Sequence, residues 1–414
     1  MRRGMMQDHG QYKRMKLLGQ SNLDGFGNGG EGFGLKKLPD GRRILFVAHE
    51  SPPKDFSVLD VTNPSEPKVV QQINLPHPKI RSNSLALVGD LLLVAYQSGL
   101  DPSPSNFNIE HAGMGVWDIS DVERPKQIGF FKTSGVRSRG AHYVWFVDGR
   151  YAHLSTGMPD SMPTHPHDDQ FYVIVDLANP TKPCEVGRWW LPGTQSGDRA
   201  APPPRHPRFD TGYRSHNINV YPKRPDRAYV GYIDGGVIIL DISDMSRPKM
   251  VSRVDYHPPF WGFTHTVLPL FDRNLLIVAD ECVRFDFEDW PKRIWVLDVR
   301  EETNPVMISS FPTPPQNEFQ FKGTRLGAHN IHENEPLPTS WLSSNIIVGT
   351  FFSGGIRVYD IRDPFRPEEV AHAVPPAPEG CASIMINDVY VDEKGLVYAL
   401  DRVKGGLYIF EMNL

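Results

Sequence analysis

Six segments of this 414-residue chain repeat one pattern: an alternating apolar run ending in Asp, a turn carrying Pro, and a second short run. They are FSVLDVTNPSEPKVV, GMGVWDISDVERPKQIG, YVIVDLANPTKPCEVG, VIILDISDMSRPKMVS, IWVLDVREETNPVMIS and IRVYDIRDPFRPEEVA. A seventh copy, GLYIFEMNL, stops after its first run. The acidic markers Asp60, Asp118, Asp176, Asp241, Asp298, Asp360 and Glu411 follow one another at intervals of 51 to 65 residues. That period is too long for tetratricopeptide, ankyrin or leucine-rich units. It has room for four strands and their loops, which is one blade of a β-propeller.

The rest of each period fits a blade. Ahead of each marker strand lies an apolar run such as NLLIVADE or NIIVGTFFSGG, and ahead of that a shorter run, in four copies opened by histidine. The order is an inner strand, a second strand, the marker strand and an outer edge strand. Asp at the end of the marker strand can accept from backbone N–H groups of the turn that follows. Proline in the last run is tolerable because that strand is an edge. The final copy lacks its outer strand, and YKRMKLLGQSN near the N-terminus resembles the outer strands QQINLP and KQIGFF. Residues near 11–18 are therefore expected to complete the last blade and close the ring. The expectation is an all-β, seven-bladed β-propeller of four-stranded blades, one domain over residues 1–414, with 1–10 flexible. The 38 prolines and 36 glycines suit many short strands and turns. No run of ten or more residues has helical periodicity.

These repeats resemble the LVIVD-repeat family of β-propellers, named for strands such as YVIVDL. The resemblance runs from about residue 30 to 414 and rests on D-(I/V)-x-(D/N)-x-x-x-P or close variants. It implies the propeller fold and says little about chemistry.

Aligning the inner strands gives RSNSLAL, GAHYVWF, RSHNINVY, FTHTVLP, GAHNIHEN and INDVYVD. The equivalent residues are Asn83, His142, His216, His265, His329 and Asn387; in the first repeat they are Phe33 or Gly34, with Glu31 nearby. Equivalent positions of blades converge on the propeller axis, so four imidazoles are expected to share one point near the channel mouth. A repeated structural role is the alternative, but it would call for histidine in every blade. Imidazole suits Fe, Cu, Zn or Mn better than Mg or Ca, and a site with an open position serves Lewis-acid or redox chemistry. In architecture this is similar to the carotenoid-cleavage oxygenases and the selenium-binding-protein group, propellers with axial histidines; their sequence motifs are absent here.

Long loops are expected over the same face. Residues 155–171 carry His165, His167, Asp168 and Asp169 in HPHDD, residues 193–213 end in Tyr213 before Arg214, and DECVRFDFEDWP follows a second strand. Candidate proton-transfer groups are Glu50, Asp234, Asp280 and Glu281, each at the start of a loop after a second strand. Substrate or lid contacts are expected from His165, His167, Tyr213, Arg214, Asn83 and Asn387, with Arg139 and Arg325 as further anion-binding candidates. Glu333 and Glu335 closely follow His329, and His332 should face away from the channel by strand parity. No GxSxG, P-loop or Rossmann motif is present.

A net charge of -5 gives no case for nucleic acid or anionic membrane. No run approaches the length of a bilayer span, and MRRGMMQDHG has no apolar core of a signal peptide. Cys184, Cys282 and Cys381 form no CxxC or even framework, which favours a reducing compartment. The reading is a cytoplasmic metal-dependent enzyme acting on a small molecule. Oxidoreductase chemistry comes first and hydrolase or lyase chemistry second, and a non-enzymatic interaction scaffold is the alternative of another class.

Overall fold

The computed structural model describes residues 10–257, 260 and 262–414. The expected flexible lead-in, residues 1–10, lies outside the described residues save for Gly10. Among the described residues the strands form six antiparallel sheets, and helix is limited to Gln316–Phe319 and three 3-10 turns. No described helix is long and apolar enough to cross a membrane.

Consecutive strands pair as antiparallel meanders, and two of the sheets also receive a strand from the N-terminus. In one, Ala141–Trp145, Tyr151–Thr156, Phe171–Asp176 and Cys184–Trp189 pair successively. One sheet has eight strands because two meanders, Gly29–Asn74 and Ile80–Lys132, touch through the single pair His49↔Ser82. The Asp markers act as their chemistry predicts. The Oδ1 atoms of Asp60, Asp118, Asp176, Asp241, Asp298 and Asp360 each accept from the backbone N–H two residues on, at 2.7–2.9 Å.

Both faces of the inner three strands are apolar because cores lie on both sides of each sheet. One cluster joins Phe46, Val58, Leu92 and Val94 of the first two meanders. Another joins Phe33, Leu35 and Leu45 of the first to Tyr398, Leu400 and Ile409 of the last. Each such buried side chain contributes about 1.5–3 kcal/mol.

The N-terminus divides its pairing. Met15–Ser21 runs antiparallel to Leu407–Met412, beside the strand expected. Gln11–Lys13 instead pairs with His372–Val374 in the neighbouring sheet, which corrects the expectation for those three residues. The cause is local: Arg14 has φ 52°, so the chain turns between the two segments. A second difference concerns the histidine-bearing segments. His216 lies just ahead of Ile218–Tyr221, and His329 lies on a stretch held to its sheet by the bridge Ile331↔Gly349, not on a strand.

Candidate metal centre

The innermost strands share a defect in register. Pairing with the second strand skips between Ala141 and Tyr143, between Thr264 and Thr266, between Arg81 and Ser84, between Ile386 and Asp388, and between Gly29 and Phe33. The residues skipped include His142, His265, Asn83, Asn387 and Glu31. A bulge leaves a residue out of the ladder and re-aims its side chain. The same irregularity, repeated from sheet to sheet, turns equivalent side chains toward a common centre. Glycines permit the close approach. A Cβ on Gly32 would stand 2.5 Å from Leu85 N, and one on Gly231 would collide with the His265 carbonyl.

The four histidines do meet. The rings of His142 and His216 are 4.3 Å apart, those of His216 and His265 3.9 Å, and those of His265 and His329 4.6 Å. All four are buried. Two carboxylates join them. Glu31 lies 3.4 Å from His265 Nε2 and 3.6 Å from His329 Nε2, and Glu281 lies 3.6 Å from His329 Nε2 and 3.8 Å from His216 Nε2. Within the group, Glu31 with His265 and His329, Glu31 with His142 and His216, and Glu281 with His216 and His265 each form a set whose ligand atoms lie within 4.8 Å.

The decisive detail is which nitrogen is bare. His329 Nδ1 lies 2.6 Å from the Asn387 carbonyl, so it must carry the proton. Asn217 donates through Nδ2 to Glu333 at 2.9 Å, so its Oδ1, 2.9 Å from His216 Nδ1, accepts from that ring. Gln97 donates through Nε2 to Gln170 at 2.7 Å, which leaves its Oε1 to accept from His142 Nδ1 at 3.0 Å. His265 Nδ1 is 2.7 Å from Thr266 Oγ1. The Nε2 lone pairs of His142, His216 and His329 are therefore all free. Those of His142 and His216 face each other at 2.8 Å, and the buried Nε2 atoms of His265 and His329 have no hydrogen-bond partner. Two lone pairs at that distance repel unless a cation lies between them. Burial, more than anything else, holds all four imidazoles neutral: His142, His216 and His329 are driven well below the usual histidine range and His265 down to about 3. Neutral imidazoles with their far nitrogens anchored, and carboxyl groups of Glu31 and Glu281 beside them, fit a transition metal.

His142 and His216, with Glu31 and Glu281, line a cavity of about 340 Å³. Its walls include Glu50, Arg81, Arg214, Phe263, Arg325 and Arg402. Burial, and then Glu31, push the Glu281 carboxyl up to about 8, so it holds its proton at neutral pH. Arg325 Nη1 lies 3.2 Å from it. Phe352 stacks on His329 at 4.7 Å and closes one side of the ring.

The other residues singled out in the sequence are placed as follows. Glu50 lines the cavity but is bound by Arg81 and Arg402, each at 2.5 Å. Asp280 lies outside the lining, held by Tyr256 at 2.5 Å and Trp295 at 2.8 Å, and burial raises it to about 6. Asp234 caps the backbone of Thr211 and Gly212 and belongs to a separate hollow with Tyr213, His206 and His257. Asn387 anchors His329 and bridges to the Gly29 and Gly30 carbonyls. Asn83 accepts from Arg81 at 3.3 Å. His167 and Arg214 line the cavity; His165 does not. His165, His167 and Asp210 form a further set of possible ligands, but Arg205 already holds Asp210 at 2.6 Å. Cys282 is buried against Asp289, and burial and that carboxylate raise its thiol, so it is no nucleophile. His332 faces away from the ring, bonded to the Trp341 carbonyl.

Sequence reading underrated Glu31. The alignment marked Phe33 or Gly34, because it assumed an unbroken strand. The signal was present in GGEGF: glycines flanking one acid at the site of a bulge. Arg402 was missed altogether, since nothing in LDRVKGG distinguishes it from a solvated arginine.

Comparison with known proteins supports the architecture. The LVIVD repeat model matches residues 168–190 and 226–256. The chain carries LVIVD repeats on a propeller-like, all-β fold. Among solved structures it is similar to the β-propeller domain of Myceliophteria thermophila Cps50 (Swd1), with 13% identity, 93% of this chain and 97% of that chain covered, and a TM-score of 0.54. It is also similar to the periplasmic gluconolactonase PpgL of Pseudomonas aeruginosa, with 13% identity, 88% and 93% coverage and a TM-score of 0.57. Chaetomium thermophilum Raptor matches at 11% identity over 98% of this chain and 30% of that chain, with a TM-score of 0.58. At these identities the likeness concerns the fold alone. No curated protein matches the sequence.

Proposed function

We propose that this LVIVD-repeat protein is a metal-dependent enzyme acting on a small organic substrate. On this reading it is one seven-bladed domain, closed where Met15–Ser21 joins Leu407–Met412. His142, His216, His265 and His329 hold one transition metal, Fe, Cu, Zn or Mn, with Glu31 and Glu281 beside it. The observation that carries the reading is the facing pair of bare Nε2 atoms on His142 and His216, joined by the unpartnered Nε2 atoms of His265 and His329. Buried acceptors are costly to leave alone, so four of them around one point call for a cation.

A bound ion supplies Lewis acidity and, if iron or copper, one-electron chemistry. The chain supplies the rest. Glu281 lies within 4 Å of two ring nitrogens, where its carboxyl can exchange a proton with a substrate. Arg325 orients that carboxyl, and Phe352 and Phe263 restrict water. Oxidative chemistry is the reading we favour, because four neutral nitrogen donors suit redox-active ions. Metal-assisted hydrolysis is the second reading, favoured by Glu281 as a proton carrier. Three free thiols favour the cytoplasm.

Metal analysis of untagged protein tests the proposal. About one transition metal per chain is expected, with an X-ray absorption edge showing nitrogen-rich coordination. Protein purified without metal, and unable to take up any of the four ions at stoichiometric level, overturns it.

A further inference from the structure

Six arginines and five carboxyl groups, those of Glu31, Glu50, Asp101, Asp210 and Glu281, line the cavity beside His142 and His216. Five of the guanidiniums that line it share three carboxylates. Arg139 and Arg214 both bind Asp169, with contacts of 2.6 and 3.3 Å. Arg81 and Arg402 both bind the same oxygen of Glu50. Arg325 alone binds Glu281. Asp210, also in the lining, is already taken by Arg205.

Three of these arginines have a bare Nε, and one of them, Arg81, is otherwise well engaged by Glu50, Asn83 and Gln97. Nε of Arg214 and Nε of Arg325 are buried without a hydrogen-bond partner. Their side chains are each only 14% exposed, and each makes a single side-chain ion pair, at 3.3 and 3.2 Å. A buried guanidinium with unfilled N–H groups is costly unless an acceptor arrives. Both lie in the same cavity as His142 and His216, and Phe263, Ile233 and Val283 give that cavity an apolar wall.

We infer that the substrate is a small organic carboxylate, captured beside His142 and His216 by the guanidinium groups of Arg214 and Arg325. A monoanion is favoured over phosphate because the Glu31 carboxylate stands beside the ring histidines and repels a dianion more strongly. The apolar wall receives the substrate's carbon body, and a volume near 340 Å³ admits a compact molecule. The inference deepens the enzyme reading, but capture of the anion does not itself require the metal.

The test is calorimetric titration of the full-length protein, as purified and after chelation, with propionate, its neutral isostere propionamide, and inorganic phosphate. Propionate should bind at least about tenfold more tightly than propionamide, as charge-assisted hydrogen bonds to buried guanidinium predict. Arg214→Gln and Arg325→Gln should each remove about tenfold or more of that affinity while metal content stays unchanged. If either glutamine variant melts early, Arg214→Lys and Arg325→Lys replace it; they keep the charge, lose the planar fork, and should still weaken binding. Equal binding of acid and amide, wild-type affinity in the arginine variants, or tighter binding of phosphate each overturns the inference. Protein that captures propionate through both arginines yet takes up none of Fe, Cu, Zn or Mn would leave the inference standing and sink the metal reading alone.

Discussion

Two polar regions lie along the same inner strands, and they are finished differently. In the first, His142, His216, His265 and His329 turn bare Nε2 atoms toward one another, and the protein offers them nothing. In the second, a few residues further along, Glu333 is fully received. Its carboxylate accepts from Tyr143 Oη at 3.0 Å, Asn217 Nδ2 at 2.9 Å and Asn219 Nδ2 at 3.0 Å, and its carbonyl accepts from Tyr221 Oη at 2.7 Å. Both regions are buried and both carry groups that water would otherwise solvate. That one region is satisfied and the other left open is the contrast on which the proposed metal site rests. Asn217 ties them together, accepting from His216 and donating to Glu333.

The comparison breaks most visibly if the histidines are removed. Replacing His216 and His329 together with Ala should abolish stoichiometric metal, a fall of about tenfold or more in ions per chain. Circular dichroism should still show a β protein, because the inter-sheet cores do not include the ring. Full metal occupancy in that variant would mean that the ring is structural.

Asn217→Ala sharpens the link between the regions. It frees His216 Nδ1 to lose its proton and leaves the tautomer unfixed. Metal affinity should drop about 10- to 100-fold, the usual cost of losing a partner behind a ligand. Glu333→Gln is the control: an amide can still serve Tyr143 and one asparagine, so affinity should change less than about threefold. Equal effects of the two substitutions would show that Glu333, not the asparagine, sets the ring.

Other buried imidazoles provide a third contrast, through pH. His49 has partners on both nitrogens, Asn28 O at 2.8 Å and Ser57 Oγ at 2.7 Å, and His332 on both, Trp341 O and Val391 N. Burial lowers His49, His153 and His332 to about 4 each. The folded value lies below the unfolded one of about 6.5, so these groups contribute stability that is present above pH 6.5 and lost as pH falls through 4. Asp55 works in the opposite sense: burial raises it to about 7, so its contribution is present below about pH 4 and lost as pH rises through 7. From pH 6.5 to 4 the two kinds of group oppose each other, so each is read in its own variant. His332→Asn should lose less stability than the parent as pH falls through this range, and Asp55→Asn should lose less as pH rises from 4 to 7, each by at most a few kcal/mol. Denaturant melts across pH that run parallel to the parent in both variants would contradict the burial of these groups.

How much of this could be read in the sequence depends on what each feature rests on. The sheets were legible because their signal is periodic: six Asp markers cap six turns, and a local hydrogen bond follows from local sequence. The convergence of four histidines was legible for the same reason, since equivalent residues of repeats occupy equivalent places. Asp280 and Asp234 resembled Glu281 in sequence, yet each is occupied elsewhere. Their partners Trp295, Tyr256 and the backbone of Thr211 come from other segments, which no local pattern announces. Glu31 was obscured by a bulge, and Arg402 by the distance in sequence to Glu50. The pairing of Gln11–Lys13 with a neighbouring sheet turns on one residue in a left-handed conformation, Arg14, which side-chain type does not disclose.

The smallest effect is expected from Tyr143→Phe, and it is the finest test of whether the two regions are separate. Tyr143 is buried, and its hydroxyl reaches only the Glu333 carboxylate, at 3.0 and 3.3 Å. Its neighbour in sequence, His142, is a ring histidine, so one residue separates a side chain serving each region. Removing the hydroxyl leaves Glu333 with Asn217 and Asn219 and opens no large void, because the ring of Phe fills the same space. The loss should be about 1 kcal/mol of stability, the net value of one hydrogen bond. Metal content should not move, because Asn217 still donates to Glu333 and still accepts from His216. Denaturant melts and metal analysis on one preparation read both quantities. A drop in metal occupancy that matches the drop in stability would show a single network running from Glu333 to the ring, and the contrast between a satisfied region and an open one would then have to be given up.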